Sequence, residues 1–514
     1  MVNLTVRGHK AWWGLLAICV VLSAPAFSAN PPNFSVLFAF DLHNTAAGVV
    51  EGTNGPAGNN VGVLYGTTSD TSLTSGGTIY KVSKGGGAPE IVYQLKETDG
   101  YSPQATLLVG RNGPLPTDAA DGYLYGTTIF APRLGLTTGY GSGTVFKVRQ
   151  DGTGFTTLYT FDASAVINSV TNAGVNLNGM HPNAALIQDA VYLYGVTPQG
   201  GAGSVGTVFR INKTDGSFTR LHTFPQPDAT GINSNGEGAI PSAPLTLGKD
   251  GLLYGVTSGG GANLYTISTT TSAGTGTIYS LNRGGAVDAP LVSSYNFDLL
   301  NNNTDSTTPG LNVSGAQPTG GLVETDVPGV FVGTARVGGT PALIAPATTT
   351  VGYGTLFKYT AATNSVTPLY NFDNVTGAVP TGDLVFDNQQ RVIYGVTSSG
   401  SPYANLYSFD LDTSAFLGLH AISEVGSLTG GLIMASDGDL YGTGASGSAC
   451  TAINGVGYGA VFRYSLATGE SSAGYSSCTP VSNSGGGSMS PGFMWLLALL
   501  GLAPPVRRRV FSFR

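Results

Sequence analysis

The sequence predicts an all-β protein, a seven-bladed β-propeller of four-stranded blades whose last blade is closed by an N-terminal strand, residues 36–41. Three observations carry this reading. A tetrapeptide of the form Leu-Tyr-Gly-Thr returns seven times. Around each copy, four short strand-like motifs keep a fixed order. Near the N-terminus stands a strand-like segment with no repeat of its own, matching one that is missing from the last repeat.

The tetrapeptide occurs at 64–67, 124–127, 193–196, 253–256, 331–334, 393–396 and 440–443, with glycine-to-glycine spacings of 60, 69, 60, 78, 62 and 47 residues. Before it comes a proline with small residues and Leu, as in Pro182-Asn183-Ala184-Ala185-Leu186 and Pro380-Thr381-Gly382-Asp383-Leu384. After it comes Gly-Thr-aliphatic-aromatic, as in Gly143-Thr144-Val145-Phe146 and Gly276-Thr277-Ile278-Tyr279. The fourth motif alternates polar and apolar residues, as in Leu158-Tyr159-Thr160-Phe161 and Leu369-Tyr370-Asn371-Phe372. All four are short, rich in aromatic and β-branched residues, and bounded by Gly, Pro, Asn or Asp, which is how strands read. Asp-Gly pairs such as Asp121-Gly122, Asp250-Gly251 and Asp437-Gly438 fall between motifs and supply the positive φ of tight hairpins. The small residues of the first strand suit the crowded wall of a central channel. The tetrapeptide glycine is expected to let neighbouring blades approach closely.

A parallel β-helix would repeat one pattern every 20 to 30 residues or so. The period here is about twice that, with four patterns in order, so the propeller is preferred. The last copy has its third strand at Val461-Phe462-Arg463-Tyr464 and then no fourth. The segment Val36-Leu37-Phe38-Ala39-Phe40-Asp41 supplies that strand, joining the ends of the ring and covering two exposed edges.

Length variation concentrates in two classes of loop: those from second to third strand, such as 258–275 and 335–353, and those between blades, such as 163–181 and 299–317. In a four-stranded blade both classes emerge on one face. Recognition commonly resides in loops on a rigid scaffold, so this face is the expected binding surface. Neutral drift on a tolerant face gives the same pattern.

The chain ends read as an address. Arg7 and Lys10 precede an apolar run from Ala11 to Leu22 and a small-residue exit at Ala26-Phe27-Ser28, the layout of a secretory signal peptide over residues 1–28. The run is short for a membrane span, and Cys19 is discarded with the signal. The propeller is expected over residues 34–466. A Ser/Gly-rich linker, 467–488, leads to an apolar and basic segment, 489–514, which contains the run Phe493 to Leu502 and then Arg507-Arg508-Arg509. The positive end of such a segment stays cytoplasmic.

Charged residues make up 10% of the chain, well below the roughly 25% of typical soluble domains. Six of the 22 basic residues lie in the two terminal segments, which hold no acid, leaving 16 basic against 29 acidic residues, a net −13. No basic cluster suits a phosphate backbone, so nucleic-acid binding is not expected. Cys450 and Cys478 are a disulfide candidate, closing a loop of about 28 residues worth about 3 kcal/mol; two free buried thiols are the alternative.

Asp41, Asp162, Asp298 and Asp373 end fourth strands and could ring the loop face to bind a cation or sugar. The plainer reading is that each starts the following turn through its side-chain oxygen. His43, His181, His222 and His420 are scattered without metal-ligand spacing, and His222 and His420 read as packing residues. No cofactor, metal site or catalytic residue is expected. Trp12, Trp13 and Trp495 lie outside the repeats, which removes the WD dipeptide from the blades.

The repeats, with Leu-Tyr-Gly-Thr followed by Gly-Thr-aliphatic-aromatic, resemble the Gloeo_Verruco (GloVer) tandem repeat over most of residues 60–465. The tail, with Gly485-Gly486-Gly487, the apolar run and Arg507-Arg508-Arg509, resembles the GlyGly-CTERM sorting signal of Gram-negative bacteria; Val510–Arg514 after the arginines departs from it. The second resemblance implies export across the inner membrane, processing by a rhombosortase-like protease, and a cell-surface or secreted product. The first brings no activity. The functional expectation is a non-catalytic binding module for an extracellular carbohydrate or protein; the alternative is a secreted propeller hydrolase or lyase acting on polysaccharide.

Overall fold

The structure is a computed structural model that describes residues 33–40, 47–53, 62–69, 76–115, 117–132, 141–161, 166–167, 174–226, 228, 236–268, 271–297, 312–339, 352–373, 375–400, 404–422, 425, 428, 430–444 and 459–467. Seven antiparallel blades surround a central axis. Blade 3 shows the common plan: inner strand Ile187–Gln188, second strand Tyr192–Thr197, third strand Thr207–Asn212 and outer strand Phe218–Thr223, paired in that order. A single 3-10 turn, Ala361–Thr363, is the one helical element among the described residues.

The ring closes as expected. Phe34–Ala39 pairs with Ala460–Tyr464 and becomes the outer strand of blade 7, with Phe34 opposite Tyr464. The Ser465 N–H donates to the Asn33 carbonyl at 2.7 Å, just beyond the paired strands. The strand begins two residues earlier than its apolar pattern indicated because Phe34 is buried against Phe462 and His420, with ring centroids 5.3 and 4.2 Å away.

Inner strands differ more from expectation. Ladder pairing begins after the motif leucine, at Ile187, Thr246 and Val323, and not over the small residues before it. Those small residues crowd the axis, where they meet the equivalent residues of neighbouring blades.

The tetrapeptide alternates across its sheet, and its two faces serve two different interfaces. Tyr65 and Ile79 of blade 1 pack against Leu107, Leu124 and Phe146 of blade 2. On the other face of blade 1, Leu64, Tyr80 and Val82 pack against Tyr441 and Val461 of blade 7. The same scheme serves all seven interfaces: the tetrapeptide Tyr, or Val332 in blade 5, packs on the Leu and aromatic of the next blade. Each interface is thus a small apolar core shared by two sheets, and these seven cores are the main apolar content of the domain.

The tetrapeptide glycine has a different role from the one expected. It lies opposite the third-strand aromatic of its own blade: Gly66 faces Tyr80, Gly195 faces Phe209 and Gly442 faces Phe462. A Cβ on Gly195 would stand 2.5 Å from the Phe209 ring and 2.8 Å from Leu186 Cδ2. The glycine is a seat for an aromatic ring and the inner-strand leucine within one blade. Contact between blades is made instead at the glycine of Gly-Thr-aliphatic-aromatic. At Gly143 (φ +108°) and Gly206 (φ +115°), the prolines of the next blade, Pro182 and Pro241, lie where a side chain would begin.

Three of the seated rings are tyrosines whose buried hydroxyls have no hydrogen-bond partner: Tyr80, Tyr279 and Tyr407. Four other blades use Phe at this position. An unsatisfied buried hydroxyl costs about 1–3 kcal/mol, whereas an apolar group of the same shape is neutral or better. Tyr279→Phe is therefore expected to leave the thermal midpoint unchanged or raise it. Gly195→Ala should lower stability by about 1–3 kcal/mol through overpacking. Urea titrations of both variants check this; a destabilised Tyr279→Phe or a neutral Gly195→Ala would contradict the packing scheme.

Candidate functional site

The two faces of the ring differ in construction. On the short-turn face, where inner strands pass into second strands, aspartates organise the turns. The Asp121 carboxylate accepts the Tyr123 N–H and the Tyr125 hydroxyl, both at 2.9 Å. Tyr194 donates to Asp189 and Tyr254 to Asp250 at 2.6 Å, and Tyr441 donates to Asp437 at 2.8 Å. In four of the six blades that carry the tetrapeptide tyrosine, its hydroxyl thus finds the turn aspartate at the edge of the apolar interface, whereas in blade 1 the Tyr65 hydroxyl donates to the Gln150 carbonyl at 3.2 Å. Although burial pushes the Asp189 carboxyl up, the Tyr194 hydroxyl, two backbone N–H groups and Arg283 bring it below the usual carboxylate range.

Longer side chains then stitch adjacent blades. The ammonium of Lys213 in blade 3 donates to Gln188 Oε1 and to the carbonyls of Arg111 and Asp189, each at 2.7 Å. Burial pushes this ammonium below its ordinary range, and three accepting oxygens compensate for the water it has lost. Lys249 of blade 4 reaches the Thr325 carbonyl of blade 5 at 2.6 Å, and its backbone N–H donates to Glu324 at 2.9 Å. At the closing seam, Lys84 of blade 1 sits between Glu51 of its own blade, at 2.6 Å, and Asp437 of blade 7, at 3.2 Å. Glu51 also accepts the backbone N–H and hydroxyl of Ser436.

Inside this polar rim an axial cavity of about 880 Å³ opens on the short-turn face. Its wall is an aliphatic collar that includes Val50, Leu108, Ile187 and Ile433, the inner-strand positions one residue past the motif leucine or its equivalent. Glu51, Arg111, Asp118 and Gln188 supply polar groups at its edge. The cavity thus combines an aliphatic wall with a polar, open edge. Sequence reasoning missed it because the collar is assembled from one residue per blade, spaced tens of positions apart.

The opposite face carries the long loops. The 258–275 insertion holds a two-stranded ribbon, Leu264–Ser268 with Thr271–Gly274. In blade 5 the second strand extends to Gly339 and pairs there with Asn312–Pro318.

Of the aspartates expected to ring this face, Asp373 is described. Its Oδ1 accepts the Val375 N–H at 2.9 Å, the Thr376 N–H at 2.5 Å and the Thr376 hydroxyl at 2.8 Å, so it holds a turn. Asp41, Asp162 and Asp298 lie outside the described residues, as do Cys450, Cys478, Gly485 to Gly487 and Arg507 to Arg509. Among the described residues no group of three or more His, Cys, Asp or Glu is placed to hold a metal ion. His222 and His420 are buried; His222 Nδ1 lies 3.0 Å from the Ala289 carbonyl and its ring meets Phe224 edge-on.

Comparison with known families bears on the repeat. Residues 114–310 match the Gloeobacter/Verrucomicrobia repeat. That span contains all the strands of blades 3 and 4 and most of blade 2. No curated protein matches the chain. Solved structures with a similar fold include an oligogalacturonate lyase in complex with manganese, at 8% identity over 85% of this chain and 92% of that one, TM-score 0.45. A putative 6-phosphogluconolactonase from Bacteroides fragilis is 12% identical over 74% of this chain and 86% of that one, TM-score 0.43. Sqt1 of Saccharomyces cerevisiae is 13% identical over 84% of this chain and all of that one (100%), TM-score 0.41. These distant likenesses assign no activity to the repeat described here.

The seam lends itself to a pH test. Burial pushes the Glu51 and Asp437 carboxyls up, but their bonds to Lys84, Ser436 and Tyr441 bring both below the usual range, and the same contacts raise the Lys84 ammonium despite its burial. Depressed carboxylates contribute stability that is present above their unfolded pKa values and lost as pH falls through the folded ones. The raised lysine contributes below its own unfolded pKa. Lys84→Met is therefore expected to cost about 1–2 kcal/mol between about pH 5 and 10, with the difference from wild type shrinking below about pH 4. Urea midpoints across that range check it; a pH-independent loss would make the Lys84 contribution one of packing.

Proposed function

We propose that this protein is an exported propeller acting as a non-catalytic binding module, which engages an extracellular carbohydrate or protein through its long-loop face. The observation that carries the reading is the division between the two faces. Asn33 and Ser465 are hydrogen-bonded beyond the Phe34–Tyr464 pair, so both ends of the propeller leave from the short-turn face. Asn33 and Ser465 thus lie on the side away from the long loops, and a partner is proposed to meet the protein on the long-loop side.

Export rests on the signal-like N-terminus, and surface sorting rests on the Gly-rich, apolar and basic tail, which a rhombosortase-like protease would process. The binding reading also draws support from Asp373, whose carboxylate oxygen is occupied by three donors in a turn. Acid–base hydrolysis of a glycoside calls for two carboxyl groups about 5 to 10 Å apart across a scissile bond, and a turn-holding aspartate is poorly suited to that work.

Purified mature protein is expected to retain ligands from a glycan array or from envelope extracts. Replacing 258–275 and 335–353 with short turns should abolish that binding while leaving a cooperative thermal transition. Binding that survives both grafts would overturn the face assignment. Turnover of a polysaccharide by the purified protein would favour the hydrolase or lyase reading.

A further inference from the structure

In blades 2 to 6 a proline opens the inner strand, and the residue before it has positive φ: Ser102 (+58°), His181 (+59°), Ile240 (+61°), Gln317 (+55°) and Val379 (+54°). These are five of the ten residues other than glycine that take positive φ among the described residues. All five stand on the connections between blades, and so on the long-loop face.

The fold needs this backbone but not these side chains. Each N–H donates to a carbonyl of the preceding blade: His181 to Ser142 and Gln317 to Thr275 at 2.7 Å, and the other three at 2.8 to 3.0 Å. The residue before each one pairs with the third residue past the tetrapeptide of its own blade, namely Phe130, Gln199, Gly259, Val337 and Ser399. Glycine would make the same backbone bonds without strain. A side chain in the left-handed region costs conformational energy, and a β-branched one such as Ile240 or Val379 costs most. The chain holds 77 glycines and places none of them at these five positions. Core packing does not explain the choice either, since none of the five is fully buried and Ile240 is 44% exposed. Strain of this kind is retained where a side chain serves more than the fold.

At the blade 3 position the side chains already meet. His181 Nδ1 lies 3.0 Å from Gln199 Oε1, and the His181 ring stands T-shaped to Phe130 of blade 2, with centroids 5.4 Å apart. Gln199 is exposed and the two rings are half-buried. Across the five positions and their five pairing partners there is no carboxylate, ammonium or guanidinium. Ser102, His181, Gln199 and Gln317 offer neutral donors and acceptors. Ile240, Val379 and Phe130 offer apolar surface. That mixture matches the hydroxyls and C–H faces of an uncharged sugar. A uronate would call for a cation, and a protein interface is usually anchored by Trp, Tyr or Arg.

We propose that these five positions are the specificity-determining contacts of the long-loop face and that they take a neutral glycan. The inference rests on the binding role argued above, and gives it residues and a ligand class.

The experiment compares wild type with His181→Gly, Ile240→Gly and Gln317→Gly, singly and combined. It measures thermal denaturation and binding to immobilised oligomers of glucose, mannose, galactose and xylose, with galacturonate oligomers in parallel. Each variant should melt at the wild-type midpoint or above it, because glycine relieves the backbone. Wild type should bind at least one neutral series in preference to galacturonate, and the combined variant should bind that series at least about tenfold more weakly. A lowered midpoint or failure to fold in the combined variant would make the side chains structural and overturn the proposal. A preference for galacturonate, or retention of an envelope protein in place of any neutral oligomer, would overturn the glycan and leave the binding role. Unaltered binding by the combined variant, where the loop replacements abolish it, would likewise remove these residues and leave the face.

Discussion

The structure depends on an aromatic ring lying over a glycine. In every blade the third-strand Phe or Tyr covers the tetrapeptide glycine on the neighbouring strand of its own sheet; in six of the seven the inner-strand leucine meets the same spot, and in blade 1, where Val49 stands at the leucine position, Tyr80 makes the close contacts. The ring can occupy this place only because no Cβ stands there. Seated, it gives the blade one apolar surface, against which the tetrapeptide tyrosine or valine of the preceding blade packs. Blade 5 makes the point by exception. Its copy reads Phe331-Val332-Gly333-Thr334, so Leu and Tyr are both replaced, yet Gly333 is retained under Phe357 and the Val332 core still forms against blade 6.

From this packing unit the polar architecture follows. A tyrosine whose ring is buried between two blades must place its hydroxyl somewhere, and in four blades it finds the turn aspartate on the short-turn face. That aspartate fixes the turn through backbone N–H groups, and long cationic side chains such as Lys84, Lys213 and Lys249 reach beyond it to a neighbouring blade. Apolar cores hold the blades at the middle of their sheets and charged stitches hold them at one rim. The long loops lie at the other rim.

Much of this was legible in the sequence because the repeats compare themselves. Strand order, blade number and the closing strand could be read from four recurring motifs and one unmatched segment. What each motif residue contacts was less legible. The glycine of Leu-Tyr-Gly-Thr was expected to bring blades together, but the positive-φ glycine of the next motif does that against a proline, because a backbone turning at the blade edge is where the neighbour comes closest. The axial cavity is hidden because its collar is assembled from residues spaced tens of positions apart. Asp41, Asp162, Asp298, the cysteine pair and the Gly-rich, apolar and basic tail lie outside the described residues.

Closure of the ring is the claim on which all of this rests, since seven shared cores exist only if blade 7 is complete and meets blade 1. The direct measurement is thermal and urea denaturation, by far- and near-ultraviolet circular dichroism, of the protein with residues 34–39 deleted. The account predicts loss of a cooperative transition, because the deletion bares the Ala460–Tyr464 edge and removes Phe34 and Leu37 from the two cores that flank blade 7. A deletion protein that melts cooperatively at the wild-type midpoint would contradict it.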